Sequence, residues 1–504
     1  MFGTIGKIAH ASRYIIDCLF RASYYSSKTL LRNTWKTICP KKNQTVDERI
    51  AAHTTQVHHL LATFNQFKAA QKRVTLERRR NSHLWRPKTG LSNRLNLHDL
   101  NQVLRIDIEN RSAHVQGTTT MFDLVEETLK FGLIPKVVPE LRGITVGGAI
   151  SGLAVESSSF KYGLFHCSVT EMEVLTGEGK IRVCTKENKN KELFFGLPNS
   201  FGSLGYVLSA KVDLVAAKPY VQLEHRKFSD AQSYFNALRK LCLKKEHDFI
   251  DGAIFPNDNM VITLAKFVDT APYESNYRPE KIYYKSIQER DKDYLTTSDY
   301  IWRWDTDSFW STEIDGKPTV LQNPLFRRTL GKALLRSDRM KRLGDIITDL
   351  QANIIEPFQD PKNIDRREKL IQDIGFSIEK CEAFYEWYKR KIGVLPIFIC
   401  PINNPQPDEC YPLWDLKYDD IACDFGFFGS KSTSFDPTDG HYNRMIEEKT
   451  DKIGGKKSLY SQSFFDRETF ERLYHGGNRY SRLKATYDPQ GIFPTHYEKC
   501  VQNH

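Results

Sequence analysis

The chain has 504 residues, 40% hydrophobic and 12% aromatic. That is chain for about three ordinary domains or two large ones, and it excludes a disordered polymer. No run of about 18 apolar residues occurs, which excludes an ordinary membrane-spanning helix. Ten cysteines are scattered with no C-x-x-C pair, so neither a zinc ribbon, a redox dithiol nor a disulfide scaffold is indicated, and a reducing compartment is expected. The net charge is +11, but eight cations precede Asp47 against one acid, Asp17, so this tail alone carries a net +7. A uniformly basic nucleic-acid binder would spread its charge differently, and no nucleic-acid motif is present.

Within that tail Phe2, Ile5, Ala9, Ile16, Leu19 and Phe20 recur at helical spacing, broken by Ser12 and interleaved with Lys7, Arg13 and Arg21. A basic amphipathic helix of this kind suits a membrane surface; a targeting segment and a helix packed on its own domain are the alternatives. Val46 to Arg80 reads as one helix, with Lys72, Arg73, Arg78, Arg79 and Arg80 as a solvated face or a phosphate or membrane contact. Strands follow between residues 95 and 117, then a helix from Met121 to Phe131 capped by Thr119 or Thr120. Residues 134–139 are extended by their prolines. Glu171–Leu175 and Lys180–Cys184 read as a hairpin across Gly177-Glu178-Gly179, and Leu204–Val215 as a further strand pair. Beyond Ala217-Lys218-Pro219 come a helix (231–243) and strands at 250–255, 261–268, 395–400 and 420–428. Strands and helices do not alternate regularly, so the expected class is α+β in both halves.

The segment from Val138 to Ser159 carries the most chemistry. Its paired glycines, Gly147 and Gly148, allow a backbone to approach a pyrophosphate closely, and Thr145, Ser151 and Ser157 add hydroxyl donors. It is neither a G-x-G-x-x-G unit nor a Walker loop. From the residues alone a small-residue packing turn is the alternative.

Thr145-Val146-Gly147-Gly148, then Glu156-Ser157-Ser158-Ser159, then Lys161-Tyr162-Gly163-Leu164-Phe165 stand in the order and spacing of a flavin-binding segment. In these residues the chain resembles the FAD-binding PCMH-type flavoproteins of the vanillyl-alcohol oxidase/p-cresol methylhydroxylase superfamily, and most closely the Delta24-sterol reductases. The similarity continues through Glu173-Val174-Leu175, Gly202-Ser203-Leu204-Gly205 and Lys218-Pro219-Tyr220-Val221. Two later stretches, Asp299 to Trp310 and Lys457 to Tyr460 continuing to Pro489, are similar to a bacterial branch that reduces methylene groups on fatty acyl chains.

The resemblance implies three parts: a tail (1–46), a two-subdomain PCMH-type FAD-binding domain (47–218) and an α+β cap or substrate domain (219–504). It implies FAD along Thr145, Val146, Gly147, Gly148, Ala149, Ile150, Ser151, Gly152, Leu153, Ala154, Val155, Glu156 and Ser157, with Gly163. The region from His83 to Asn93 lacks the Gly-rich histidine motif that tethers flavin in many relatives, so non-covalent FAD is expected, with Arg86 and Lys88 near the pyrophosphate. No metal is expected. The implied reaction is reduction of an isolated C=C bond of a sterol or other membrane lipid, by hydride from reduced flavin plus a proton, with NADPH as electron donor. A methylene-fatty-acyl reductase and an alcohol or sugar oxidase are the alternative enzymes, and a membrane-associated binding protein on a flavin scaffold is the alternative outside catalysis. A peripheral, membrane-associated protein facing the cytoplasm is expected, with the tail on the membrane.

The proton requires a buried carboxylic acid or a tyrosine. Trp302 to Trp310 offers three of the seven tryptophans with Arg303, Asp305 and Asp307 between them. If that stretch is extended, the charged residues share one face. Asp305 with Arg303, and Glu156, are therefore the catalytic candidates, with Tyr460 and His166 behind them. A core aromatic cluster closed by an Arg–Asp pair is the other reading of that stretch.

Overall fold

The structure is a computed structural model that describes residues 44–77, 84–86, 93–277, 281–314, 317–331, 335–341 and 366–503. The amphipathic pattern of residues 2–20 lies outside the described residues, as do His83, Lys88 and most of the loop between them and Asn93.

Helix α1 (Val46–Ala69) opens with a reciprocal cap between Thr45 and Glu48 and buries His53, Val57, Leu60 and Phe64 on one face. It ends well before Arg80. Gln71 takes a left-handed turn (φ 52°), and the chain then leaves extended, with Val74 N–H donating to the Ile492 carbonyl at 2.8 Å. Strands β1 (Val103–Asp107) and β2 (Ser112–Gln116) form a hairpin. Helix α2 (Met121–Leu129) buries Met121, Leu124, Val125 and Thr128, and Thr120 caps it. Strand β3 (Leu133–Pro135) and the short helix α3 (Val146–Ser151) follow. Then come β4 (Val169–Leu175), β5 (Ile181–Thr185) and β6 (Tyr206–Ala216). Residues 204–215 thus form one long strand rather than a pair. The strand has to be long because β2, β4 and β3 all pair with it, giving an antiparallel sheet in the order β1-β2-β6-β4-β5 with β3 also on β6.

Only Ala217, Lys218 and Pro219 separate β6 from β7 (Tyr220–Phe228), the first strand of a second sheet. Helix α4 (Ala231–Lys244), β8 (Phe249–Phe255), β9 (Asn259–Val268) and β10 (Lys292–Thr296) follow. After them come β11 (Arg367–Ser377), helix α5 (Cys381–Lys391), β12 (Ile397–Ile402) and β13 (Ala422–Ser432). Helix α6 (His441–Lys452) and β14 (Lys456–Lys457) complete it. This eight-stranded antiparallel sheet runs β10-β7-β9-β8-β12-β13-β11-β14. The fold is α+β, as the irregular order of elements implied.

The larger sheet is covered on both faces, a consequence of its position between layers. Ile250, Ile254, Ile397, Ile399, Phe425 and Phe427 pack under α4, α5 and α6. The other face of the same strands looks toward the first sheet, and one hydrophobic cluster joins them, running from Val115, Val146 and Val212 to Trp304, Phe398 and Cys400.

The stretch from Trp302 to Trp310 is not extended. A helical turn (Thr297–Ile301) leads into successive turns, with Ser308 and Phe309 left-handed (φ 45° and 62°). Its charged residues therefore diverge. Arg303 reaches Glu156 Oε1 at 2.9 Å and also Asp251. Asp305 accepts from Arg142 Nε at 2.7 Å and from Ser337 Oγ at 2.6 Å. Asp307 accepts from Arg327 at 2.6 and 3.2 Å.

Removing one partner of a buried ion pair costs about 3–5 kcal/mol, because the other charge is stranded. Arg303→Met strands two carboxylates, Glu156 and Asp251, so the variant should lose stability on that scale in chemical denaturation. Burial already raises the Asp251 carboxyl and Arg303 opposes that rise, so without Arg303 its folded-state pKa will lie further above the unfolded one. The folded variant then binds the extra protons, and its deficit should shrink as pH falls. A deficit independent of pH would show that Arg303 acts through packing alone.

Candidate functional site

A cleft of about 2130 Å³ runs between the two sheets. The first half lines it with Gly117, Thr118 and the segment from Pro139 to Val155; the second lines it with Phe309, Trp310, Phe398, Phe428, Asp373, Asp424 and Tyr460.

The glycines of the first wall act by absence. A Cβ on Gly117 would lie 2.0 Å from the Val207 carbonyl oxygen, so no side chain fits where β2 turns past β6. Gly147 packs on Gly117, donating to its carbonyl at 2.8 Å. Thr145 caps α3, its Oγ1 accepting from Gly148 N at 3.2 Å, and Val146 N donates to the Thr119 carbonyl. The N–H groups of Val146, Gly147 and Gly148 are thus engaged within the protein. Gly148 offers bare backbone to the cleft instead: beyond its own helix backbone, an added Cβ would meet Thr145 Oγ1 and nothing else within 4 Å. Leu153 (φ 60°) and Phe201 (φ 48°) hold left-handed backbone on the same wall, conformations that cost about 1–3 kcal/mol each and persist where surrounding structure enforces them.

Of the predicted cofactor residues, Thr145, Gly147, Gly148, Ala149, Ser151, Gly152, Leu153, Ala154 and Val155 line this cleft. Val146 and Ile150 point into the core, fully buried. Glu156, Ser157 and Gly163 stand off its lining, and Gly163 (φ 76°) ends the turn Ser159–Tyr162. Arg86 and Lys499 also line the cleft; Arg86 lies over the Phe201 ring and Lys499 Nζ donates to Tyr206 at 3.0 Å. Bare backbone, an elongated space and two cations beside it fit a dinucleotide such as FAD.

The second wall belongs to the cleft-facing side of the larger sheet. Register sets Phe398, Gly426 and Asp373 in one row across β12, β13 and β11, and Cys400, Asp424 and Gly375 in the next. Asp373 and Asp424 therefore share a face as diagonal neighbours. The Tyr460 hydroxyl lies beside Asp373. Burial pushes the Asp373 carboxyl up to about 7, opposed by the neighbouring Tyr460 hydroxyl. Burial, then the charge of Asp373, raises Asp424 well above the usual carboxylate range. Glu140, on the facing wall, is raised by burial and then by the neighbouring Glu156. Phe309, Trp310, Phe398 and Phe428 make a contiguous aromatic surface beside these acids, with ring centroids 5.6 Å apart for Phe309–Trp310 and Phe309–Phe398.

The catalytic candidates read from sequence sit elsewhere. Asp305 does not line the cleft; it is fully buried against Arg142 and Ser337. Arg303 and Glu156 face a crevice of about 10 Å³ behind it. His166 is also off the cleft, and burial pushes its imidazole down to about 3, so it holds no proton to give near neutrality. Tyr460 does line it. Asp373, Asp424 and Glu140 were missed. Asp424 was an acid in an apolar, strand-like stretch, but Asp373 lies on a strand that also carries Glu368, Lys369 and Gln372, and Glu140 lies outside any strand, so neither stood out.

Residues 57–185 match the FAD binding domain family. The chain is 25% identical to the Delta(24)-sterol reductase of Homo sapiens over 424 residues, covering 80% of this chain and 77% of that protein. It is 23% identical to the Delta(24)-sterol reductase of Arabidopsis thaliana over 457 residues, covering 80% and 76%. Cytokinin dehydrogenase 1 of Arabidopsis thaliana is 31% identical over 144 residues, 28% of this chain and 25% of that protein. With an FAD-binding domain forming one wall of the cleft, the chain resembles the PCMH-type flavoproteins, the Delta(24)-sterol reductases among them, and is an FAD-dependent oxidoreductase.

Proposed function

We propose that the protein reduces an isolated C=C bond of a sterol or another membrane lipid, with NADPH as electron donor and FAD held non-covalently. In this reading residues 47–218 hold the FAD and residues 219–504 cover it and hold the lipid. The tail before residue 47 rests on the cytoplasmic face of a membrane. The similarity to sterol reductases supports the substrate class. The observation that carries the reading is a pair of buried acids on one face of the sheet, both raised by burial above the usual carboxylate range, beside an aromatic wall.

FAD, when bound along Thr145 to Val155, supplies the hydride. The protein must then supply a proton to the second alkene carbon, which is easiest where positive charge develops on a tertiary carbon. Asp373 is poised for this: near pH 7 a useful fraction is protonated, with the Tyr460 hydroxyl beside it. Asp424, on the same face, is the group that returns a proton to it. Phe309, Trp310, Phe398 and Phe428 exclude water and give the lipid an apolar surface. Arg303, Asp305 and Glu156 act by holding that wall in place. A fatty-acyl methylene meets the same electronic requirement as the alkene of a sterol tail.

Four outcomes test this. Gly148→Trp fills the one open backbone position of the wall and should yield a folded protein that retains no flavin; a fully yellow variant would remove the segment from the site. Acid precipitation of the wild-type protein should release flavin to the supernatant, whereas flavin kept in the pellet would mean a covalent link. Asp373→Asn should lower the rate of NADPH-driven alkene reduction by about 10²–10⁴, with a smaller effect on KM. The wild-type rate should be full below neutrality and fall as pH rises through about 7, where Asp373 ionises. A flat profile and an active Asp373→Asn would eliminate this acid.

A further inference from the structure

Val320 and Leu325 are the two most exposed large hydrophobic residues among those described, at 70% and 72%. Both lie in one loop between Lys317 and Arg328, and the loop is not loose. Gln322 Nε2 donates to Tyr284 at 2.7 Å and to the Thr312 carbonyl at 3.3 Å. Thr319 and Asn323 cap its two helical turns, and Pro324 opens the second. Below it Arg327, 1% exposed, binds Asp307 and the carbonyls of Tyr277 and Lys281, at 3.0 and 2.7 Å for the carbonyls. A buried arginine with four acceptors is an elaborate anchor for a loop that holds two aliphatic side chains in water.

Single exposed apolar residues need no explanation, but two at the tip of an anchored loop do. The charge around them is one-sided. Between Asp315 and Asp338 the sequence holds Lys317, Arg327, Arg328, Lys332 and Arg336 and no acid; of these, Arg327 is buried on Asp307 and Arg336 pairs with Asp338 at 3.1 Å. Lys317 and Arg328 flank the tip and are exposed. The nearest acid on the supporting strand, Glu313, is paired with Lys285 at 2.9 Å. Aliphatic tips flanked by two exposed cations, Lys317 and Arg328, match the boundary of an anionic bilayer, where the tips enter the acyl region and the cations meet headgroups. The loop hangs from Thr312, and Phe309 and Trp310 of the same segment line the cleft.

We propose that the Val320–Leu325 loop is a membrane-docking tip that inserts into anionic lipid and sets the cleft wall against the bilayer. This contact is separate from the tail before residue 47. It stands on the surface and not on the reaction, so its failure would leave the reductase reading untouched.

The test uses the full-length protein, with Cys18→Ser, Cys39→Ser and Cys410→Ser and then Leu325→Cys, carrying an environment-sensitive fluorophore at position 325. A control carries the label at Glu468→Cys, an exposed site on the helix Arg467–Tyr474. With phosphatidylcholine–phosphatidylserine vesicles, position 325 should shift to the blue and be quenched by lipid-borne nitroxide, and position 468 should not. Without phosphatidylserine the shift should weaken. Val320→Asp/Leu325→Asp, checked for unchanged circular dichroism, should partition onto vesicles at least about tenfold more weakly. A protein that pellets with vesicles while position 325 stays in water would overturn the proposal, as would one that does not pellet. A blue shift that grows with protein concentration in the absence of lipid would assign the tip to a second copy of the protein and overturn it as well.

Discussion

One guanidinium with no exposed surface, that of Arg303, joins Glu156 from the first half of the protein to Asp251 on the larger sheet. Two buried carboxylates on one cation leave an excess negative charge in a low-dielectric interior, which is tolerable only if geometry and hydrogen bonds are well satisfied. Ser157 donates to Glu156, the Tyr300 carbonyl accepts from Arg303, and Arg142–Asp305 is a second buried pair joining the two halves. Together they fix how the two sheets face each other, and so the width of the cleft between them. An apolar contact would hold the halves together without fixing their register so narrowly, because hydrophobic attraction is non-directional.

That arrangement gives the larger sheet two different environments on its two faces. Under α4, α5 and α6 it is an ordinary apolar core. On the cleft side, Asp373 and Asp424 sit among Phe398, Cys400 and Phe428. Carboxyls in such surroundings hold their protons to higher pH, since the charged form loses water and gains little in return. An acid that stays protonated near neutrality, beside an aromatic surface and opposite an FAD-binding wall, is the combination that reduction of an unactivated alkene demands. The glycine wall contributes by leaving backbone bare at Gly148, with its neighbouring N–H groups already engaged.

Local patterns were readable in the sequence where one face of an element decides its burial. Met121, Leu124 and Val125 announced α2, and the turn at Gly177-Glu178-Gly179 announced the β4–β5 hairpin. The glycine segment was readable because its small residues are needed by geometry. The acids were not, because Asp373 and Asp424 are far apart in sequence and only the register of β11 on β13 brings them together. The alternation of Arg303, Asp305 and Asp307 was visible but misleading. Period two implies a common face only in an extended backbone, and this one turns at Trp302, sending each charge to a different partner. The end of α1 was missed because Gln71 is an unremarkable residue that tertiary pairing at Val74 forces into a left-handed turn.

The most direct measurement is a single anaerobic turnover. The holoprotein is reduced and freed of excess reductant, then mixed in deuterated water with a sterol whose alkyl tail carries an isolated double bond. The account expects the oxidised-flavin absorption to return without oxygen and the sterol to gain two hydrogens, at least one of them deuterium delivered as the proton from the solvent-exchanged acid. Flavin that stays reduced until oxygen is admitted, with the sterol unchanged, would contradict it.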